Sequence, residues 1–180
     1  MADTDVMGIG DLKQRFGQIK ENMQTRTSRA MVVSAGGVLK RKAKAIAQAN
    51  GSVRTGAMVK NIAIKREPQA PAGTTQYNLG VRNGGELTKK QKSGAKLAVG
   101  KSGRIVKQYQ DDPYYWKWVE KGHKIVPAKG GQSLRARRKA ATAMVPARPF
   151  IGPALVQGRD EAIEAMGARL QKELDKASGP

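Results

Sequence analysis

The sequence predicts an α+β fold: N-terminal helices, a small antiparallel sheet built on a hairpin, a long C-terminal amphipathic helix and extended basic loops. Three observations predict it. Apolar residues recur at helical spacing near both ends, at Leu12, Phe16, Ile19 and Met23 and again at Leu155, Ile163, Met166, Leu170 and Leu174. Two short alternating runs, around Ile62 to Arg66 and Tyr77 to Val81, flank a Pro/Ala/Gly loop, as in a hairpin. The stretches between these elements are rich in Lys, Arg and Gly and poor in large apolar residues.

In chain order, Asp11 is placed to cap a first helix carrying the Leu12–Phe16–Ile19–Met23 stripe. A second helix is expected over about 27–48, with Ala30, Val33, Val38, Ala45 and Ile46 as apolar positions and Lys40, Arg41, Lys42 and Lys44 crowding its last turns. Gly36-Gly37 weakens it by about 1 kcal/mol per glycine, and marks a kink or a close packing point. Asn50-Gly51-Ser52 ends it. Thr55-Gly56 leads into a short segment with Met58 and Val59, then the strand over 61–67, the loop over 68–75 and the partner strand at Tyr77, Leu79 and Val81.

Residues 83–112 read as a long basic loop or arm, with one short strand at 104–109. Tyr114, Tyr115, Trp116 and Trp118 then supply half of the chain's eight aromatics. Gly122 ends a short helix there, and 123–126 reads as a strand. Residues 127–144 form a second basic loop. The proline-rich 146–153 segment is an extended lead-in, and Pro153 suits the first turn of a C-terminal helix over about 153–176. The length of 180 residues fits a single domain, expected to have a mobile N-terminus.

Composition narrows the function. There is no cysteine and only one histidine, His123, so disulfides, thiol catalysis and sites needing two histidines of one chain are excluded. The most apolar stretch, residues 31–39, is too short to span a membrane, and the acidic N-terminus does not read as a signal peptide. A cytoplasm, or a particle assembled in one, is the expected location. Lys and Arg number 34 against 14 acids, a net charge of +20. Residues 1–67 hold 13 basic and 5 acidic groups, and residues 82–138 hold 15 and 4. Residues 154–180, with 4 and 5, are close to neutral. Such an excess favours polyanions or acidic protein surfaces, and charge alone does not separate them.

Several chemical motifs fail on inspection. Ala95-Lys96-Leu97-Ala98-Val99-Gly100-Lys101-Ser102 lacks the first glycine of a phosphate-binding loop and precedes a β-like run where a helix is required. Gly8-Ile9-Gly10 lacks the third glycine and the preceding strand of a dinucleotide site. Asp111-Asp112 reads as a turn next to proline, and His123 as a surface or interface residue. No nucleophile, acid–base pair, metal set or cofactor signature emerges, so no enzyme activity, metal or cofactor is expected.

The basic clusters Lys89, Lys90, Lys92, Lys96, Lys101 and Arg104, and Arg135, Arg137, Arg138 and Lys139, are candidate contacts to DNA or to an acidic partner. The aromatics suit either base stacking or the core, and the scarcity of large core residues favours the core.

Three segments together carry a family resemblance. They are Thr55-Gly56 before the first strand; Tyr115-Trp116-Lys117-Trp118-Val119-Glu120-Lys121-Gly122-His123; and Ala147-Arg148-Pro149-Phe150-Ile151-Gly152-Pro153-Ala154-Leu155. In this order, over about residues 10–176, the chain resembles the minor tail component family of long-tailed phages and prophages, the neck or tail-completion proteins. Lys121 and His123 stand where the family usually has Phe and Thr.

The resemblance implies a structural virion protein that completes the head-proximal end of the tail and helps join it to the head. It also implies an oligomeric ring, with a hexamer favoured, and as neighbours the head–tail connector, the tail terminator or the tail tube. Sequence-independent contact with packaged DNA is a further expectation. The alternatives are the tail terminator itself and a non-virion nucleic-acid-binding protein, although no helix-turn-helix, zinc-finger or RNA-binding signature is present. Arg148 is expected to anchor the proline-rich segment by pairing with an acid, Glu120 being the candidate, with Phe150 in the core.

Overall fold

The computed structural model describes residues 10, 13–14, 16–17, 21 and 23–178 apart from 52–54, 72, 101 and 127–132. The architecture is α+β, as expected. Helices Ser28–Ala49 and Arg159–Ser178 are the longest elements, and three two-stranded antiparallel ribbons accompany them among the described residues. The chain divides into two compact units. One holds Met1–Leu39, Ile64–Asn78 and Gly158–Pro180; the other holds Lys40–Ala63 and Leu79–Gln157.

In the first unit, Gly10, Lys13, Gln14, Phe16, Gly17 and Glu21 are helical, and a wider turn at Met23–Thr27 leads into helix Ser28–Ala49. Asp11, Leu12 and Ile19 of the expected first stripe lie outside the described residues. Phe16, expected on its buried side, is exposed. The Gly36 position is a close packing point. A Cβ there would stand 3.0 Å from the Ile64 side chain, which explains why a residue unfavourable to helices is present. Helix Arg159–Ser178 buries Ala162 and half-buries Ala165 and Met166 against Ala35, Val38 and Leu39. That stripe corrects the expected face. Met166 and Leu170 are half-buried, but Leu155, Ile163 and Leu174 of the expected face are exposed, because Ala162 and Ala165 set the buried register.

Helix Ser28–Ala49 also runs one turn past its lysine cluster, so its last turn has no basic residue. The dipole contribution expected from Lys40 to Lys44 fades at that distance.

The second unit carries the main core: Ala43, Ala47, Met58, Val59, Ile62, Val81, Phe150 and Ala154, with Tyr115, Trp116, Val119 and Ile151 packed around them. Phe150 is its largest fully buried side chain. Gly56, in the left-handed region at φ 72°, turns the chain into the short helix Ala57–Asn61. Strands β1 (Ile62–Arg66) and β2 (Tyr77–Val81) pair as the sequence predicts.

Residues 83–112 are more ordered than a basic arm. They hold helix Lys89–Ser93 and a second hairpin, β3 (Lys96–Val99) with β4 (Ile105–Gln108). Thr88 and Gln91 form a capping box at the helix start, a pairing of residue types that the basic run conceals. Helix Trp116–Lys121 is followed by β5 (His123–Lys124), which pairs with β6 (Met144–Val145). Within 127–144, read as loop, Leu134–Ala140 is a helix capped by Ser133, whose hydroxyl accepts the Ala136 amide at 3.3 Å. Its Arg, Ala, Leu and Lys residues are all good helix formers. The C-terminal helix opens as Ile151–Gln157, with Pro153 in its first turn, and restarts at Arg159 after Gly158.

Candidate functional site

The second and third resemblance segments, 30 residues apart, meet in one place. Glu120 sits near the end of helix Trp116–Lys121, and its carboxylate faces the start of helix Ile151–Gln157. Oε2 accepts the Phe150 amide at 2.9 Å, both oxygens accept the Ile151 amide at 3.2 Å, and Oε1 accepts the Gly152 amide at 3.2 Å. Helix N-termini expose unpaired N–H groups and a positive dipole end, and a carboxylate satisfies both.

Two residues on, Gly122 holds φ 71° and ψ 170°, a conformation essentially restricted to glycine. A Cβ at that position would lie 2.7 Å from the Val145 carbonyl oxygen. Glycine therefore lets β6 return close beside the turn and deliver the Ala147–Phe150 stretch to Glu120. The Arg148 amide donates to the Val119 carbonyl at 2.8 Å and closes the frame.

This geometry corrects the expected Arg148–Glu120 pair. Glu120 is engaged by backbone amides, and the Arg148 guanidinium instead donates to the Asn50 carbonyl at 3.2 Å. The Asn50 amide side chain in turn donates to the Pro149 carbonyl at 2.9 Å. The helix-ending Asn50 turn and the proline-rich segment are thus tied by reciprocal bonds. Phe150 does fill the core, as expected.

The aromatic segment divides its work. Trp116 is half-buried against the core, with Lys117 Nζ 5.7 Å from its ring centre. Its Nε1 is buried with no hydrogen-bond partner among the described residues. Trp118 and Tyr114 are exposed and meet edge-to-face at 5.9 Å, and Trp118 lies 5.8 Å from the His123 ring. Thr55 is exposed beside Gly56 and accepts the Ala57 amide at 3.4 Å.

Sequence reading missed Asn61. It is buried, and its amide donates to the Ala57 and Asp111 carbonyls at 2.9 and 3.3 Å while its Oδ1 accepts from Gln91 at 2.9 Å. One side chain therefore links two helices and the 110–112 turn. Asp112, the other half of the carboxylate pair, accepts the Gly84 amide at 3.0 Å, which fits its reading as a turn former. A cavity of about 460 Å³ lies beside this turn, lined by Thr55, Ala57, Gln110, both aspartates, Tyr114 and Tyr115.

Among the described residues the candidate cations are spread over several elements. Lys89, Lys90 and Lys92 lie on the helix after Thr88, Lys96 and Arg104 on or beside the second hairpin, and Arg135, Arg138 and Lys139 on helix Leu134–Ala140. All of these are exposed, Arg137 is half-buried, and Lys101 lies outside the described residues. No group of three or more His, Asp or Glu among the described residues is arranged to hold a metal ion. No described helix is long and apolar enough to cross a membrane.

Comparison with known proteins agrees with the resemblance. The family model described as "Bacteriophage HK97-gp10, putative tail-component" matches residues 10–122, which covers the Thr55-Gly56 turn, both hairpins and the helix ending at Gly122. No curated protein and no solved structure matches. The Ala147–Leu155 segment lies beyond the matched span, but Glu120 binds it to the last residues within that span. The match covers well over half of the chain, and the chain belongs to the HK97-gp10-like family of phage tail components.

Proposed function

We propose that this protein is a structural, non-enzymatic component of the phage neck. It completes the head-proximal end of the tail and helps join tail to head, as a ring around the DNA channel. The observation that carries this reading is the pairing of tail-component family membership with a charge of +20, much of it on exposed side chains of short helices and a hairpin. A channel protein meets a polyanion without needing to read its sequence, and Lys and Arg serve that purpose. The frame around Glu120 and Gly122 supplies rigidity, while exposed Trp118 and Tyr114 suit contact with a neighbouring subunit, since exposed aromatics are frequent anchors of interfaces. Its site of action in this reading is the virion, after assembly in the host cytoplasm.

The test is electron microscopy of lysates from a phage or prophage lacking this reading frame. Full heads beside unjoined tails are expected. Scatter in tail length would favour the tail-terminator role. Normal particles in normal numbers would overturn both readings and favour a nucleic-acid-binding protein outside the virion.

A further inference from the structure

The β3–β4 hairpin carries an uncovered apolar face. Leu97 is paired with Lys107 and Val99 with Ile105, and directly paired residues, like residues two apart, share one face of a ribbon. Leu97, Val99 and Ile105 therefore lie together, and they are 71%, 75% and 72% exposed. An isolated two-stranded ribbon is marginal in water and gains stability from a third partner. Any such partner meets a basic rim, because residues 87–110 contain seven Lys or Arg and no acid.

Helix Arg159–Ser178 offers the complement. It belongs to residues 154–180, where acids outnumber bases by 5 to 4. Its outer positions at helical spacing are Asp160, Ile163, Glu164, Gly167, Gln171 and Leu174, all exposed. Gly167 lies between the two apolar residues, and a Cβ there would meet nothing within 4 Å. No contact among the described residues requires this glycine, which costs a helix about 1 kcal/mol relative to alanine. A flat place between Ile163 and Leu174 suits a ribbon laid across the helix.

We infer that the β3–β4 hairpin of one copy docks on the outer face of helix Arg159–Ser178 of a second copy. Leu97, Val99 and Ile105 cover Ile163 and the flat place at Gly167, and the hairpin lysines stand beside Asp160 and Glu164. The two surfaces differ, so the contact is head-to-tail, and such contacts close as rings or run on as filaments. This rests on the ring in the proposed function and names the surfaces that build it.

The absence of cysteine makes the test direct. Leu97→Cys and Ile163→Cys proteins, prepared separately as full chains, are mixed and oxidised. The expected result is a reducible dimer that requires both variants and whose yield falls as salt rises. Sedimentation of Leu97→Asp is expected to show loss of the wild-type oligomer, with circular dichroism and the unfolding midpoint unchanged.

No dimer beyond that of either variant alone, or a wild-type protein that stays monomeric at every concentration, overturns the inference. A monomer whose Leu97→Asp variant still loses phage infectivity would assign the hairpin to a different acidic partner. A specific dimer together with normal particles from the deletion phage would leave this contact standing and remove the neck role.

Discussion

The Glu120 carboxylate lies 2.9 Å from the Phe150 amide, and this contact joins the start of one helix to the end of another 30 residues earlier in the chain. The same side chain reaches the next two amides, so a single carboxylate satisfies three otherwise unpaired donors.

Replacing Glu120 tests that role. Glu120→Ala is expected to lower stability by about 2 kcal/mol, since hydrogen bonds to a charged group are worth about 1.5–3 kcal/mol and part of the site is exposed. Glu120→Gln keeps one acceptor oxygen without the charge and should fall about midway. Urea unfolding gives the order, and an alanine variant as stable as the wild type would reject the capping role.

Gly122→Ala should cost about 2–3 kcal/mol. Its backbone conformation alone costs a side-chain-bearing residue about 1–3 kcal/mol, and the new Cβ adds a close approach to the Val145 oxygen. Gly37→Ala is the control. Its Cβ meets nothing, so it should stabilise by up to about 1 kcal/mol, and both values come from thermal unfolding.

Asn61→Leu removes a buried side chain that makes three hydrogen bonds and strands the Asp111 carbonyl and the Gln91 amide. A loss of about 2–3 kcal/mol is expected. Amide hydrogen exchange should also speed up selectively in helix Lys89–Ser93, which Gln91 moors to Asn61. Uniform exchange rates across the chain would show that the moorings are independent.

Trp118→Ala should separate assembly from folding. The side chain is half exposed, so stability should move by no more than about 1 kcal/mol. Plaque yield in a complementation assay is nevertheless expected to drop. Full complementation by the alanine variant would remove Trp118 from the assembly surface.

Some of this was legible from residue order alone. Helix Ser28–Ala49 and strands β1 and β2 follow from local periodicity, which acts within a few residues. Phe150 announces itself as a rare aromatic between prolines. Other parts depend on distant partners. Glu120 reads as half of an ion pair with Arg148, and only the fold shows that Phe150, Ile151 and Gly152 present amides to it while Arg148 turns to Asn50. Strand β3 lies hidden in a lysine run, because Leu97-Ala98-Val99 does not alternate with polar residues. Asn61, a polar residue at the end of a short helix, has no sequence pattern at all. Its importance comes from the 110–112 turn and Gln91 converging on it.

The clasp at Glu120 also bears on how this chain can change. The backbone leaves the core at Lys121 and is held again at Arg148 and Phe150, so everything between is a closed excursion with both ends pinned. Closing a longer excursion costs little, about 0.6 kcal/mol for each doubling of its length. A change of length between β5 and β6 should therefore leave the helix that starts at Ile151 seated. The same property makes the span between β5 and β6 the natural place to insert a tag for locating the protein in a particle.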